Sequence, residues 1–200
     1  NGAFDISLEE LEAKYKTSQS KFIDIDGVRV HYLDEGAGPV IVLLHASFMN
    51  LRLWDPLAAD LSKRFRVVRL DLLNSGLTGP EPGDDYSMER NAQLITGLTA
   101  ALKLDRFALL GTSSGGTVAF RYAAEHPERV TRLILVNSAG MPRTAATDPN
   151  RARGFALSRW IEQYHKSRGY WQKTLELQFS SGVMPSPELV EMVYDMNRRA

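Results

Sequence analysis

The sequence predicts an α/β protein with a mostly parallel sheet, an antiparallel hairpin at its N-terminal side and a helical segment after it. Three observations point there. A hairpin signal, Asp26-Gly27, sits between two short alternating segments. From Val40 onward, short wholly apolar runs alternate with helical patterns, the signature of βαβ units. Past Pro142 the strand pattern stops and only helical spacing remains.

The elements follow in order. Ser7-Leu8-Glu9-Glu10 reads as a capping box, and Leu8, Leu11 and Tyr15 then recur on one helical face. Residues 21–24 and 28–34 flank the Asp26-Gly27 turn; Val28, Val30 and Tyr32 alternate with Arg29 and His31, as in a half-buried strand. Gly36-Ala37-Gly38-Pro39 is a loop. The run Val40–Leu44 precedes a helix over 53–63, Arg66–Leu70 precedes a long loop and a helix over 87–102, and 106–110 precedes a helix over 114–125. The last run, 131–136, leads into Asn137-Ser138. Helices over 150–200 carry Trp160, Tyr164, Tyr170, Trp171, Phe179 and Tyr194, with a break at 180–187. Residues 1–142 therefore read as the N-terminal part of an α/β core and 143–200 as an appended helical lid.

Composition narrows the function. At 200 residues the chain is one domain's length and can bury roughly 70% of its unfolded surface. Lys+Arg and Asp+Glu are 24 each, so no basic surplus exists to hold a phosphate backbone, and nucleic acid is a poor partner. With no Cys, disulfides, Cys-ligated zinc, Fe–S clusters and a cysteine nucleophile are excluded from this sequence. His31, His45, His126 and His165 lack metal-ligand spacing, so neither metal nor cofactor is expected. No apolar run approaches the length of a membrane span. The start, Asn1-Gly2-Ala3-Phe4-Asp5, has neither the features of a signal peptide nor an initiator Met, so a processed or engineered start is expected and the compartment stays open.

One motif carries chemistry. Gly111-Thr112-Ser113-Ser114-Gly115 fits Gly-x-Ser-x-Gly after an apolar strand and at the opening of a helix. A nucleophile on so tight a turn needs small neighbours two residues either side. Ser113 is the candidate nucleophile. The N–H of Ser114 at the helix start, and that of Ser47 in His45-Ala46-Ser47 after the 40–44 strand, are the candidate oxyanion donors. His45, Ala46, Phe48 and Trp160 are the candidate binding residues, with His45 read as shaping its loop rather than shuttling protons. The competing reading, a glycine-rich phosphate loop, lacks the P-loop Lys and the third glycine of a dinucleotide site.

With these residues in hand the chain resembles the alpha/beta-hydrolase superfamily, in its lid-bearing serine esterase and epoxide-hydrolase-like branch. The resemblance rests on Leu43-Leu44-His45, Trp54-Asp55, residues 66–71, Gly76-Leu77-Thr78-Gly79-Pro80, Asp85-Tyr86-Ser87, residues 111–116 and residues 124–130. It implies an eight-stranded, mostly parallel alpha/beta-hydrolase sheet and a Ser-His-Asp triad in the order Ser, acid, His. Ser rather than Asp at position 113 disfavours dehalogenase and epoxide-hydrolase chemistry, which use a carboxylate nucleophile. Two departures are local: Ala46 stands where relatives carry Gly, and Asn74 stands where they carry Gly in the loop after Asp71.

The third departure is the triad itself. His126 lies twelve residues beyond Ser113 on one helix, about 18 Å away, and cannot be the base. His165 falls in the lid pattern, and no carboxylate directly follows a strand after Ser113. Leu133–Val136, wholly apolar, should be buried on both faces, yet would be a long hydrophobic edge if the chain ended at Ala200. The expectation is an incomplete sheet, with the acid and the His supplied by a missing segment or a second chain. The function expected is cleavage of an ester-like bond in a small apolar substrate through an acyl-enzyme. A non-catalytic small-molecule binder on the same fold, and a cofactor-free peroxidase-like enzyme, remain open alternatives.

Overall fold

The computed structural model describes residues 6–138, 167–178 and 184–199. By internal contacts the chain divides into Lys16–Gly140 and a second unit formed by Asn1–Tyr15 with Met141–Ala200.

The larger unit holds the sheet. Strands β1 (Lys21–Ile25) and β2 (Val28–Glu35) form the expected hairpin, with Lys21 opposite Tyr32 and Ile25 opposite Val28. Asp26 and Gly27 both take positive φ, 50° and 83°, as a two-residue primed turn requires. Then come β3 (Val40–Leu44), α2 (Asp55–Leu61; α1 belongs to the second unit), β4 (Arg66–Leu70), α3 (Met88–Ala101), β5 (Phe107–Thr112), α4 (Ser113–Glu125) and β6 (Val130–Val136). The helix expected over 53–63 opens as a 3₁₀ turn over Leu51–Trp54, because the Asn50 side chain accepts from Arg52 N and starts the turn early. Ser87 caps α3 by accepting from Arg90 N.

The strand order is β1-β2-β4-β3-β5-β6. β2 joins β4 antiparallel, and the other pairs from β4 to β6 are parallel. Pleating sends Val42 and Leu44 of β3 to one face, with Val68, Leu70, Leu94, Ile95, Leu98, Phe107, Val118 and Tyr122. Ile41 and Leu43 point the other way, against Trp54, Ala58 and Val67. That two-sided burial is the physical reason β3 is apolar throughout.

β6 departs from the expectation of burial on both faces: Leu133, Ile134, Leu135 and Val136 are 37–45% exposed. The cause is its place in the sheet. β6 pairs with β5 along one side, and among the described residues no strand pairs with the other.

In the second unit, α1 (Leu8–Tyr15) begins with the capping box. Glu10 N donates to Ser7 Oγ, and Ser7 N donates back to the Glu10 carboxylate. Among the described residues the unit also holds α5 (Arg168–Gln178) and α6 (Pro187–Met196), the latter capped by Ser186. Buried Asp195 of α6 accepts from Lys14 Nζ and from the Tyr15 hydroxyl. Burial and then the Asp195 carboxylate push the Tyr15 phenol up from its ordinary range. Among the described residues no helix is long and apolar enough to cross a membrane.

Gly97 of α3 sits against β1: a Cβ there would lie 2.3 Å from Ile25 Cγ2. Helix propensity favours Ala over Gly by about 1 kcal/mol, but overpacking costs about 1–3 kcal/mol. Gly97→Ala is therefore expected to lower the unfolding free energy measured by urea titration, whereas at an open helical site the same change would raise it.

Candidate active site

Ser113 stands at the junction where β5 ends and α4 begins, with φ of +50°. Few non-glycine residues adopt this left-handed conformation, and it costs of order 1–3 kcal/mol unless the surroundings impose it. Here they do. A Cβ on Gly111 would lie 2.4 Å from Gly115 O, and one on Gly115 would lie 2.3 Å from His45 O and 2.7 Å from Leu44 O. The glycines on either side of Ser113 thus let the chain fold back on itself and let α4 touch the end of β3. Ser113 itself is exposed. Thr112 makes no side-chain cap, so no cap side chain competes for the first amides of α4, which carry the positive end of the helix dipole.

Beside this junction lies a cavity of about 160 Å³. His45, Ala46 and Ser47 form one wall, and Leu72, Leu73 and Ser75 from the loop after β4 form another. Tyr86, Met88 and Asn91 close a third side, and Ser114 and Val118 of α4 the fourth. The two candidate oxyanion donors, Ser47 and Ser114, thus meet on one cavity. The lining includes neither Ser113 nor Phe48. Phe48 is 47% exposed and takes φ of +65° in its loop. Trp160 and His165 lie outside the described residues.

His45 lines the cavity, but both its ring nitrogens are occupied. Nδ1 pairs with Ala46 O at 2.8 Å and must donate; Nε2 accepts from Leu72 N at 3.0 Å. The ring is therefore neutral. Burial lowers its pKa below the ordinary value, and this outweighs the opposing pull of Asp71 and of the Ala46 carbonyl. A histidine so engaged ties two loops together and has no free nitrogen for proton transfer. His126 sits at the far end of α4, stacked near Tyr122 at 4.7 Å between centroids. Among the described residues no carboxylate lines the cavity, and no group of three His, Cys, Asp or Glu could hold a metal ion.

The sequence reading missed Asn91. Its Oδ1 accepts from Leu73 N at 3.0 Å and its Nδ2 donates to Ser87 O at 2.9 Å, which pins the wall that Leu73 contributes to the cavity. The signal was available: a buried amide within the apolar face of α3, beside Ala92 and Leu94, has to be satisfied by something.

Two outcomes follow. In Gly115→Ala the new methyl meets backbone carbonyls that cannot rotate aside, so a loss of about 3 kcal/mol or more is expected in denaturant unfolding. For His45, unfolding releases a ring that protonates more readily than the buried one. Its contribution is fully present above the ordinary value of 6.5. It is lost as pH falls through that value, by up to about 1.4 kcal/mol per pH unit. His45→Gln keeps an acceptor for Leu72 N and removes the titration, so it should flatten the stability curve between about pH 7.5 and 5.5.

Comparison with known proteins gives this geometry its setting. A family model described as the alpha/beta hydrolase fold matches residues 39–188. Haloalkane dehalogenase 2 of Mycobacterium tuberculosis is 33% identical over 120 residues, which is 60% of this chain and 42% of that protein. The 2-hydroxy-6-oxo-2,4-heptadienoate hydrolase of Pseudomonas putida is 33% identical over 118 residues, 58% of this chain and 43% of that one. Among solved structures, the meta-cleavage product hydrolase of Pseudomonas fluorescens IP01 superposes with a TM-score of 0.74 at 26% identity, covering 88% of this chain and 63% of that one. The chain spans less than half the length of these two curated relatives. The family match extends over well more than half of the 200 residues and includes β3, the Ser113 junction and every wall of the cavity, and the chain belongs to the alpha/beta hydrolase fold family.

Proposed function

We propose that this chain carries the nucleophile of a serine hydrolase that cleaves an ester-like bond in a small, apolar substrate through an acyl-enzyme. The observation that carries the reading is Ser113 at positive φ on a glycine-flanked strand-to-helix junction, with Ser114 and Ser47 on the cavity next to it. Strain of this kind gathers where a side chain has to project from the backbone to react.

In this reading Ser113 Oγ attacks the substrate carbonyl and its proton passes to a general base. The oxygen gains negative charge within reach of the Ser47 and Ser114 N–H groups, and the leaving group departs protonated. Water then attacks the acyl-Ser113 ester by the reverse sequence, releasing the acid and restoring the serine. A serine at position 113 favours the chemistry named for the hydrolase relatives over that named for the dehalogenase. His45 is engaged at both nitrogens, so the base and its acid partner are assigned to residues outside the described set, in this protein or a second chain. The lid role read from the sequence for 143–200, Trp160 included, belongs to the same proposal.

The test is hydrolysis of short p-nitrophenyl esters by the full-length protein, together with labelling by a fluorophosphonate. Ser113→Ala is expected to lower kcat/KM by more than about 10³-fold and to abolish labelling. Undiminished hydrolysis in that variant would overturn the assignment of Ser113. A wild-type protein that neither hydrolyses nor labels would instead be a small-molecule binder on this fold.

A further inference from the structure

Asp71 follows β4 and is 1% exposed, yet it carries a carboxylate that the reaction above does not use. Its contacts are dense. Oδ1 accepts from Leu51 N at 2.7 Å. Oδ2 accepts from Leu77 N at 2.8 Å and from His31 Nδ1 at 2.7 Å. Its own main chain is paired as well: Asp71 N donates to His31 O at 3.0 Å, and Asp71 O accepts from Thr78 Oγ1 at 2.7 Å. On the outer side of the imidazole, His31 Nε2 meets Ser20 Oγ at 2.9 Å. The loop closes tightly round the carboxylate. Gly76 takes φ of +50°, and a Cβ there would fall 2.0 Å from Asp71 Oδ2.

The placement of these bonds is what matters. Residues 46–50 carry Ser47 and lie between two tethers to the loop after β4. At the near end His45 Nε2 accepts from Leu72 N. At the far end Leu51 N donates to Asp71. Between them the segment contains a turn, Met49 N to Ala46 O at 3.2 Å. The same carboxylate holds Leu77 N, at the far end of the segment that supplies Leu72, Leu73 and Ser75 to the cavity lining. One buried charge thus sets the spacing of two walls of the cavity. Burial works against that charge, but the His31 hydrogen bond and the surrounding donors hold the Asp71 carboxyl below its usual range and keep it an acceptor for all three.

We propose that Asp71, oriented by His31, is a positioning residue that holds the Ser47 segment at its working distance from Ser114. The proposal rests on the hydrolase reading for its catalytic consequence and on hydrogen bonding alone for its structural one. Asp71→Asn is the sharp variant. An amide retains one acceptor and turns the other corner into a donor, so either Leu51 N–H or the Leu77 and His31 pair meets another N–H. His31→Leu removes the donor that orients the carboxylate, and His31→Asn restores a donor near the Nδ1 position. His31→Leu carries the test if Asp71→Asn yields no folded protein.

Amide hydrogen exchange on the full-length protein reads the structural arm. The expected result is at least about tenfold faster exchange at 46–51 and 72–77 in Asp71→Asn and His31→Leu, unchanged exchange in β3 and β5, and partial recovery in His31→Asn. Faster exchange shared by β3 and β5 would mean a general loss of stability and would overturn the proposal, as would unchanged exchange in the two loops. Ester hydrolysis reads the second arm: kcat is expected to fall about 10–100-fold with KM within about threefold, since a donor needed for the oxyanion is displaced. Loosened loops with wild-type kcat would overturn the positioning role. If the wild-type protein neither hydrolyses esters nor labels with fluorophosphonate, the hydrolase reading falls, and the exchange arm still decides whether Asp71 holds the two loops.

Discussion

The site depends on one close approach, that of α4 to the carboxyl end of β3. A helix normally packs on a sheet with side chains between them. Here Gly115 leaves its backbone against the carbonyls of Leu44 and His45, closer than any side chain would allow. The sheet order makes this contact available, because β5 feeds directly into α4 and lies beside β3. From that contact the rest follows. The start of α4 reaches the loop that follows β3, Ser113 is forced through a positive φ at the top of the turn, and Ser114 comes to share a cavity with Ser47.

Around that contact the walls are set by polar side chains buried in an otherwise apolar interior. His45, Asp71 and Asn91 each take up a backbone N–H from the loops after β3 and β4. An amide left unpaired in such a place would cost about 1–3 kcal/mol, so each residue ties a loop down with more force than its own net hydrogen bond contributes. His45 and Asp71 do so in opposite charge states. Burial keeps the imidazole neutral, whereas three donors keep the carboxylate charged despite burial. The loops gain a defined shape without a regular secondary structure to hold it.

β6 shows a different balance. Its apolar residues have the composition of a strand buried on both faces, but it occupies the sheet's edge among the described residues. β3, with the same kind of composition, is central and buried. Composition reports how much burial a strand is built for; position in the sheet decides how much it has here.

Much was legible in the sequence because it depends on neighbours along the chain. The Asp26-Gly27 turn, the Ser7–Glu10 capping box and the order of strands and helices all rest on spacing and on local backbone preference. The candidate nucleophile was legible for the same reason: a serine between glycines, after a strand and before a helix, is a local pattern. The remainder of the site was decided by tertiary structure. That His45 takes the N–H of Leu72, that Asn91 takes that of Leu73, and that Asp71 takes that of Leu51 depend on partners 27, 18 and 20 residues away, brought together only by the fold. A hydrogen bond leaves no periodic trace in a sequence, so a residue that works through distant backbone amides is identified only once the fold has supplied them.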